Sequence, residues 1–282
     1  MNRIDWRTLL PFTLAAILLL ILAWPVWLFW YYEYTKPESY YQHAPLIPFI
    51  VGLMLWHQRN ALRVVPKKPA PLALILLFPA LALLVFAIKV QAEALESTGL
   101  LLTLWGSVWC ALGTRFVRAA WVPLLFLWLM APLPGPLLND VTQRVQMTST
   151  VMADKILHLM TFSTHLVGNV IRMEDYSLFV DVPCSGFKLL LALLTFSAAF
   201  AYLVDGRPAR RWLLFLFSLP LSVLVNSVRI ALIGVVGECV GPDAAHVFHD
   251  WSGMITLTLG FMALFGLAKG LGCRTFAGWA IF

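Results

Sequence analysis

Long apolar segments separated by short charged loops dominate this sequence of 282 residues. Hydrophobic residues make up 61% of it and charged residues only 12%, whereas soluble globular proteins carry about 25% charged residues. A helix of about 20 apolar residues is long enough to cross a bilayer. The sequence therefore predicts an all-α polytopic integral membrane protein that forms one transmembrane domain over residues 1–282.

About eight membrane helices are predicted, at residues 9–31, 44–56, 70–90, 99–113, 119–130, 185–204, 212–236 and 251–269. Residues 138–167 have charged and histidine side chains among apolar ones at helical spacing. This pattern predicts a polar or amphipathic helix, at the interface or inside the bundle. Residues 168–181 alternate between apolar and polar side chains, which predicts a short extracytoplasmic strand-like segment before Cys184.

The loop charges predict the orientation in the membrane. With a cytoplasmic N-terminus and alternating sides, the cytoplasmic loops would hold 13 of the 20 basic residues and only two of the 14 acidic ones. This arrangement satisfies the positive-inside rule. The basic residues form no stripe with interleaved aromatic residues, so a nucleic-acid partner is not expected. Cys184 and the loop at 238–250 would then face the extracytoplasmic side.

Cys184 stands where the strand-like segment meets the predicted helix at 185–204. Pro183 suits the first turn of a helix, because proline has no backbone N–H to leave unpaired. A thiol in that turn is close to the positive end of the helix dipole and to free backbone N–H groups, which favour the nucleophilic thiolate. The alternative interpretation is a small apolar residue at a membrane entry point.

Two other polar clusters are expected on the same side. Arg229 lies within an otherwise apolar helix, and Asn226 is one turn earlier on the same face. A guanidinium inside a span is costly and indicates a functional site, although snorkelling to the interface is an alternative. His246 and His249 precede the last predicted span. Two histidines at this spacing lack the third ligand of a zinc site, so no metal is expected.

Cysteine, arginine and histidine together are typical of nucleophilic catalysis. The Cys184 thiolate would attack a carbonyl, and a histidine would take up the thiol proton and return it to the leaving amine. Arg229 would neutralise the oxyanion or bind a substrate carboxylate. From the residues alone, either His246 or His249 fits the role of the base.

The sequence resembles the exosortase/archaeosortase family of membrane cysteine transpeptidases. Cys184-Ser185-Gly186 is similar to the family's CSG motif, Asn226-Ser227-Val228-Arg229-Ile230 to its NxxRI motif, and His249-Asp250-Trp251-Ser252-Gly253 to its HxxxG motif. The segment 40–48, which contains His43, is similar to a conserved segment after the family's first span. The HxxxG spacing favours His249 over His246.

The resemblance implies that Cys184, Arg229 and His249 are catalytic and that Asn226, His246, Ser185 and His43 bind substrate or support the site. It implies an enzyme of the bacterial inner membrane that needs no cofactor. Its substrates would be secreted proteins with a C-terminal sorting signal of the Pro-Glu-Pro type, which consists of a short motif, a membrane helix and a basic tail. The acceptor would be a nucleophile, lipid or polysaccharide at the cell surface.

Two other functions are compatible with the residues. Cys184 and Cys239 are both expected near the outer face, where a disulfide or quinone-linked redox protein would need them. Alternatively, Arg229 and the polar helix at 138–167 could line the path of a transporter. A Cys184–Cys239 disulfide would exclude the nucleophile, and substrate flux that survives Cys184→Ala would favour the transporter.

Overall fold

The structure is a computed structural model that describes residues 6–37, 39–181, 186–273, 275–276 and 279–280. The predicted nucleophile Cys184 and its neighbour Ser185 lie outside the described residues. The chain divides into two compact units, residues 1–134 and 135–282. Both units are mainly helical, as expected for a polytopic membrane protein.

The described residues of the first unit form eight α-helices. Their bounds are α1 Trp6–Leu22, α2 Trp24–Thr35, α3 Ile47–His57, α4 Arg59–Val64, α5 Leu74–Val90, α6 Glu93–Leu112, α7 Thr114–Ala119 and α8 Trp121–Phe126. Short 3₁₀ turns occur at Ala44–Leu46, Pro71–Ala73 and Leu127–Met130. Helices α5 and α6 pack closely, because a Cβ at Gly99 would lie only 2.8 Å from the backbone of Leu84.

The second unit contains four long helices and a small sheet. The helices are α9 Gly135–Leu159, α10 Phe187–Leu203, α11 Pro208–Cys239 and α12 Pro242–Gly270. Between α9 and α10, strands β1 His165–Val167, β2 Val170–Arg172 and β3 Ser177–Phe179 form an antiparallel sheet in the order β1-β2-β3. A two-stranded ribbon, β4 Thr275–Phe276 and β5 Trp279–Ala280, follows α12.

The number of membrane spans differs from the predicted eight. Of the helices that the structure describes, four are long and apolar enough to cross a membrane, or up to six if two bent helix pairs each count as one span. The predicted spans 44–56 and 119–130 form only short helices, although Trp121–Met130 can count as one bent span together with Gly135–Leu159. The predicted span 185–204 corresponds to Phe187–Leu203, which is also below the length of a span. At 1.5 Å per residue, about 12 residues reach roughly 18 Å, which is less than the 30 Å of a bilayer core.

Three other predicted boundaries are corrected. The segment 9–31 is broken at Ala23 into α1 and α2, since Pro25 lies in the first turn of α2 and cannot continue the helix before it. The polar helix predicted at 138–167 ends at Leu159, where the chain turns through Thr161 with a positive φ before β1. The expected loop at 238–250 is largely helical, because α11 continues to Cys239 and α12 begins at Pro242.

A buried core joins the sheet of the second unit to its helices. Ile171, Leu178 and Val180 from the sheet region pack against side chains of α9, α11 and α12. The helix side chains in this core are Ala153, Leu157, Ile230, Ala231, Ile233 and Ala245. The core therefore fixes the strand segment that leads to residue 182 against the parts of α11 and α12 that contain Arg229 and the two histidines.

Candidate active site

Arg229 links α11 to the turn of α12 that carries His249. Its Nε donates to Ser252 Oγ at 2.7 Å, and its Nη2 donates to the His249 carbonyl oxygen at 3.2 Å. Ser252 Oγ in turn donates to the same carbonyl oxygen at 2.8 Å. Because Ser252 is only 2% exposed, this network lies in the packed contact between the two helices. The half-buried guanidinium of Arg229 is therefore held in place and does not simply extend to an interface.

His249 has an acidic neighbour. Its Nδ1 lies 3.2 Å from Asp250 Oδ1, with the side chains 33% and 75% exposed respectively. An exposed pair of this kind adds little to stability. It can, however, favour one tautomer of the imidazole, with Nδ1 protonated and Nε2 left as the acceptor of a proton.

A cavity of about 280 Å³ opens beside these groups. Both His246 and His249 line it, since residues three apart in a helix share a face. Its other walls come from the strand segment and from α11 and α12: Tyr176, Leu178, Phe179, Val180, Asp181, Ile230, Ile233 and Ala245. The cavity thus combines an apolar lining with two imidazoles and a carboxylate. Its size is close to the lower end of the range for ligand sites.

The strand segment of this wall is fixed by hydrogen bonds to its backbone. The Val180 carbonyl oxygen accepts from Gln146 Nε2 at 2.5 Å and from Asn169 Nδ2 at 3.0 Å. The Val180 N–H donates to the Asn169 carbonyl oxygen at 2.9 Å. Gln146 comes from α9 and is 8% exposed, so the polar residues of α9 serve to position the chain just before Cys184.

A turn near Tyr176 connects the same segment to the end of α11. A Cβ at Gly237 would lie 2.4 Å from the Tyr176 ring, so only a glycine lets this ring pack against the helix. The Glu238 carboxylate accepts from the Asp175 N–H at 3.1 and 3.2 Å. These contacts place Tyr176 in the cavity wall.

Gly186 contacts Asn226 on the other side of the undescribed residues. An ideal Cβ on Gly186 would lie 2.5 Å from Asn226 Cγ and Nδ2, and its φ is +79°. Asn226 is 1% exposed. The start of α10 is therefore in direct contact with α11, one helical turn before Arg229.

The family model of transmembrane exosortases matches residues 30–266. The chain belongs to this family. The match covers most of the sequence and confirms the family that the three motifs indicated. Membership indicates a membrane transpeptidase that acts on sorting signals. No curated protein and no solved structure matches the chain.

The structure of this exosortase brings together several of the predicted site residues. His246 and His249 line one cavity, Arg229 donates to the His249 carbonyl oxygen, and Asn226 lies a turn away from Arg229. His43 belongs to the other unit, where burial lowers its pKa to about 4 against the opposing effect of a backbone hydrogen bond with Tyr40. Among the residues that are described, no group of three or more His, Cys, Asp or Glu side chains could hold a metal ion.

Sequence reasoning gave no role to Ser252, Gln146, Asn169 or Tyr176. Ser252 lies within the HxxxG block, but its hydroxyl is ordinary for a helix until the Arg229 contact is seen. Gln146 and Asn169 are far from Cys184 in sequence. The signal that could have indicated Gln146 is the polar character of α9, because a polar residue on a buried helix face needs a hydrogen-bond partner.

Proposed function

We propose that this exosortase is a membrane-embedded cysteine transpeptidase that cleaves the C-terminal sorting signal of secreted proteins through a thioester on Cys184. The acyl group then passes to a nucleophile at the cell surface. The site faces the extracytoplasmic side of the bacterial inner membrane, in agreement with the loop charges. The signal is of the Pro-Glu-Pro type, followed by a membrane helix and a basic tail.

The proposed chemistry has two halves. In the first, the Cys184 thiolate attacks the scissile carbonyl, the C–S bond forms and the C–N bond breaks. The proton that His249 took from the thiol goes to the leaving amine. In the second, the hydroxyl or amine of the acceptor attacks the thioester, and the C–S bond breaks. The acceptor's proton returns to the thiol through the same imidazole.

Arg229 acts on the charge that develops at the carbonyl oxygen. A fixed guanidinium stabilises an oxyanion without having to reorganise during the reaction. The alternative role for the same cation is to bind a substrate carboxylate. The network with Ser252 and the His249 carbonyl oxygen supports the first role, since two acceptors that are themselves hydrogen-bonded to each other hold the guanidinium in position.

The single observation that carries this proposal is the contact of Gly186 with Asn226. Gly186 is two residues after Cys184, and consecutive Cα atoms are 3.8 Å apart, so chain connectivity limits the separation of their Cα atoms to about 7.6 Å. Asn226 is one turn from Arg229 on the same helix face. The proposal is supported by this contact, because Gly186 follows Cys184 closely in the chain and packs one helical turn from Arg229.

The test is co-expression with a tagged secreted protein from the same genome that ends in a sorting signal. Cys184→Ala and Arg229→Ala should each abolish processing, and Cys184→Ser should leave at most a trace because an alkoxide forms less readily than a thiolate. Cys110→Ala and Cys273→Ala are the matched controls and should process normally. Mass spectrometry should detect an acyl group on Cys184. Normal processing by Cys184→Ala would refute the proposal.

The redox alternative has a separate test. Cys239 is exposed and carries a free thiol in the structure. Titration of thiols on the native protein should therefore count Cys184 and Cys239 as free. A disulfide between them would exclude Cys184 as the nucleophile.

A further inference from the structure

The first unit contains a second cavity, of about 440 Å³, between α5, α6 and α7. Its lining is apolar apart from a threonine hydroxyl and one cation at the edge. The residues are Leu76, Leu102, Trp105, Trp109, Thr114, Val117 and Arg118. Its volume is in the range of ligand sites, and the proposed transpeptidase chemistry uses none of these residues.

The packing of α5 against α6 explains why the cavity exists. Gly99 and Gly106 let the two helices approach, since a Cβ at Gly106 would lie 3.2 Å from Leu77 Cα. Small residues of this kind permit close contact of membrane helices. One turn after Gly106 comes Trp109, whose indole Nε1 donates to Thr114 Oγ1 at 2.8 Å. This hydrogen bond fixes the indole of Trp109 in the cavity wall. Trp109 is thus a bulky residue that follows Gly99 and Gly106 in α6.

One basic residue lines this cavity, and two others belong to segments that pack near it. Arg118 lines it and is exposed. The backbone of Lys68 lies against Gly113, because a Cβ there would be only 2.1 Å from the Lys68 carbonyl oxygen. Val117 packs against the buried cluster that contains Leu62, and the exposed Arg63 follows Leu62 in the chain.

No carboxylate offsets these cations in the adjoining sequence. Residues 39–92 and 97–139 contain no Asp or Glu. Together these two stretches include α3, α4, α5, α7 and α8 and nearly all of α6. This end of the unit is therefore strongly cationic, and the next acidic residues on α6 are Glu93 and Glu96 in its first turn, at the opposite end of the helix from the cavity.

We propose that this cavity binds an anionic phospholipid. An acyl chain enters between the indoles and the leucines, and the phosphate and its anionic headgroup bind Arg118 with support from Lys68 and Arg63. Basic pockets between membrane helices recognise anionic headgroups in this way, and each basic residue near the surface contributes about fivefold to affinity. A free phosphate would use the cations but leave the apolar walls unfilled.

The experiment uses the full-length protein in nanodiscs that contain equal amounts of phosphatidylglycerol and phosphatidylcholine. Native mass spectrometry after release measures which lipid remains bound. Wild type should retain one phosphatidylglycerol in preference to phosphatidylcholine. Arg118→Gln should lower this retention about fivefold, and Lys89→Gln, a matched loss of one charge at an exposed residue in the last turn of α5, far along that helix from Leu76, should lower it less than twofold.

A second variant tests the apolar half of the site. Leu76→Trp places an indole into the cavity and keeps every charge, so it should also lower phosphatidylglycerol retention. Inorganic phosphate at millimolar concentration should not displace the lipid. Equal retention of the two lipids by wild type, equal losses in Arg118→Gln and Lys89→Gln, or full displacement by phosphate would each overturn the proposal. If Leu76→Trp does not fold, the comparison of lipid retention between wild type and Arg118→Gln still tests the proposal.

Discussion

Gly186 packs against Asn226 so closely that position 186 has no room for a Cβ. A Cβ on Gly186 would lie 2.5 Å from Asn226 Cγ and 2.9 Å from Asn226 Cβ, and Gly186 has the positive φ that L-residues avoid. This contact joins the first turn of α10 to the middle of α11. It explains why a glycine ends the Cys184-Ser185-Gly186 motif and why a compact polar side chain lies one turn before Arg229.

Gly186→Ala should therefore destabilise the protein by roughly 2–5 kcal/mol. This range is the sum of the cost of a left-handed φ in alanine and the cost of overpacking. It should also impair processing of the sorting signal. The melting temperature in detergent measures the first effect. Gly266→Ala is the control, since a Cβ there meets no atom within 4 Å and alanine favours a helix.

The same pair allows a test for coupling. Asn226→Gly removes the atoms that the new methyl group would meet, so the double variant Gly186→Ala/Asn226→Gly should be less destabilised than the sum of the two single changes. If the destabilisation of the double variant equalled the sum of the two single values, the result would contradict the contact between Gly186 and Asn226.

The sequence predicts those parts of this fold that depend on local pattern. The apolar runs in the sequence predict helices α5 and α6 and the spans within α11 and α12. Such a run predicts a membrane helix without knowledge of its packing partners, because its length alone matches the bilayer. The count of about eight spans is not confirmed, because the apolar helices Ala44–His57 and Phe187–Leu203 are short and two other runs are bent. The N-terminal extension of α12 was missed because its first turns are amphiphilic and not apolar.

The site was only partly predictable for a different reason. Arg229 stood out because an isolated guanidinium in an apolar helix is rare. Its partner Ser252 could not be identified, because a serine in a helix ordinarily bonds to its own backbone, and only the packing of α11 on α12 reveals the second bond. The contact of Gly186 with Asn226 joins residues 40 positions apart in the chain, which no periodicity encodes.

Ser252→Ala removes the acceptor of Arg229 Nε and should slow processing about 10- to 100-fold, because a hydrogen bond to a charged group contributes about 1.5–3 kcal/mol. Ser252→Thr keeps the hydroxyl and should retain most of the activity. The control is Ser218→Ala, since Ser218 is equally buried in α11 and donates only to Phe215 of its own helix among the contacts seen. Equal activity of Ser252→Ala and Ser218→Ala would show that Ser252 does not position Arg229.

His249→Ala should reduce processing by about 100-fold or more, in the range of general acid–base catalysis. His246→Ala should have a smaller effect, although both imidazoles line the cavity, because the His249 turn of α12 is the one bonded to Arg229. Initial rates of processing for the two variants and wild type give the measurement. The opposite ranking would assign the role of base to His246.

Stability of the first unit should depend on pH through His43. Burial lowers the pKa of His43 to about 4 from an ordinary value of 6.5, so the folded chain keeps this imidazole neutral where the unfolded chain takes up a proton. The free energy of unfolding is unaffected by this group above pH 6.5. It decreases as the pH falls from 6.5 towards 4, by at most about 3 kcal/mol in total. His43→Gln should flatten the change in melting temperature over this window. The control is His57→Gln, which alters the other histidine of the unit and should keep the wild-type dependence of melting temperature on pH. If His43→Gln also kept this dependence, His43 would not be the group responsible.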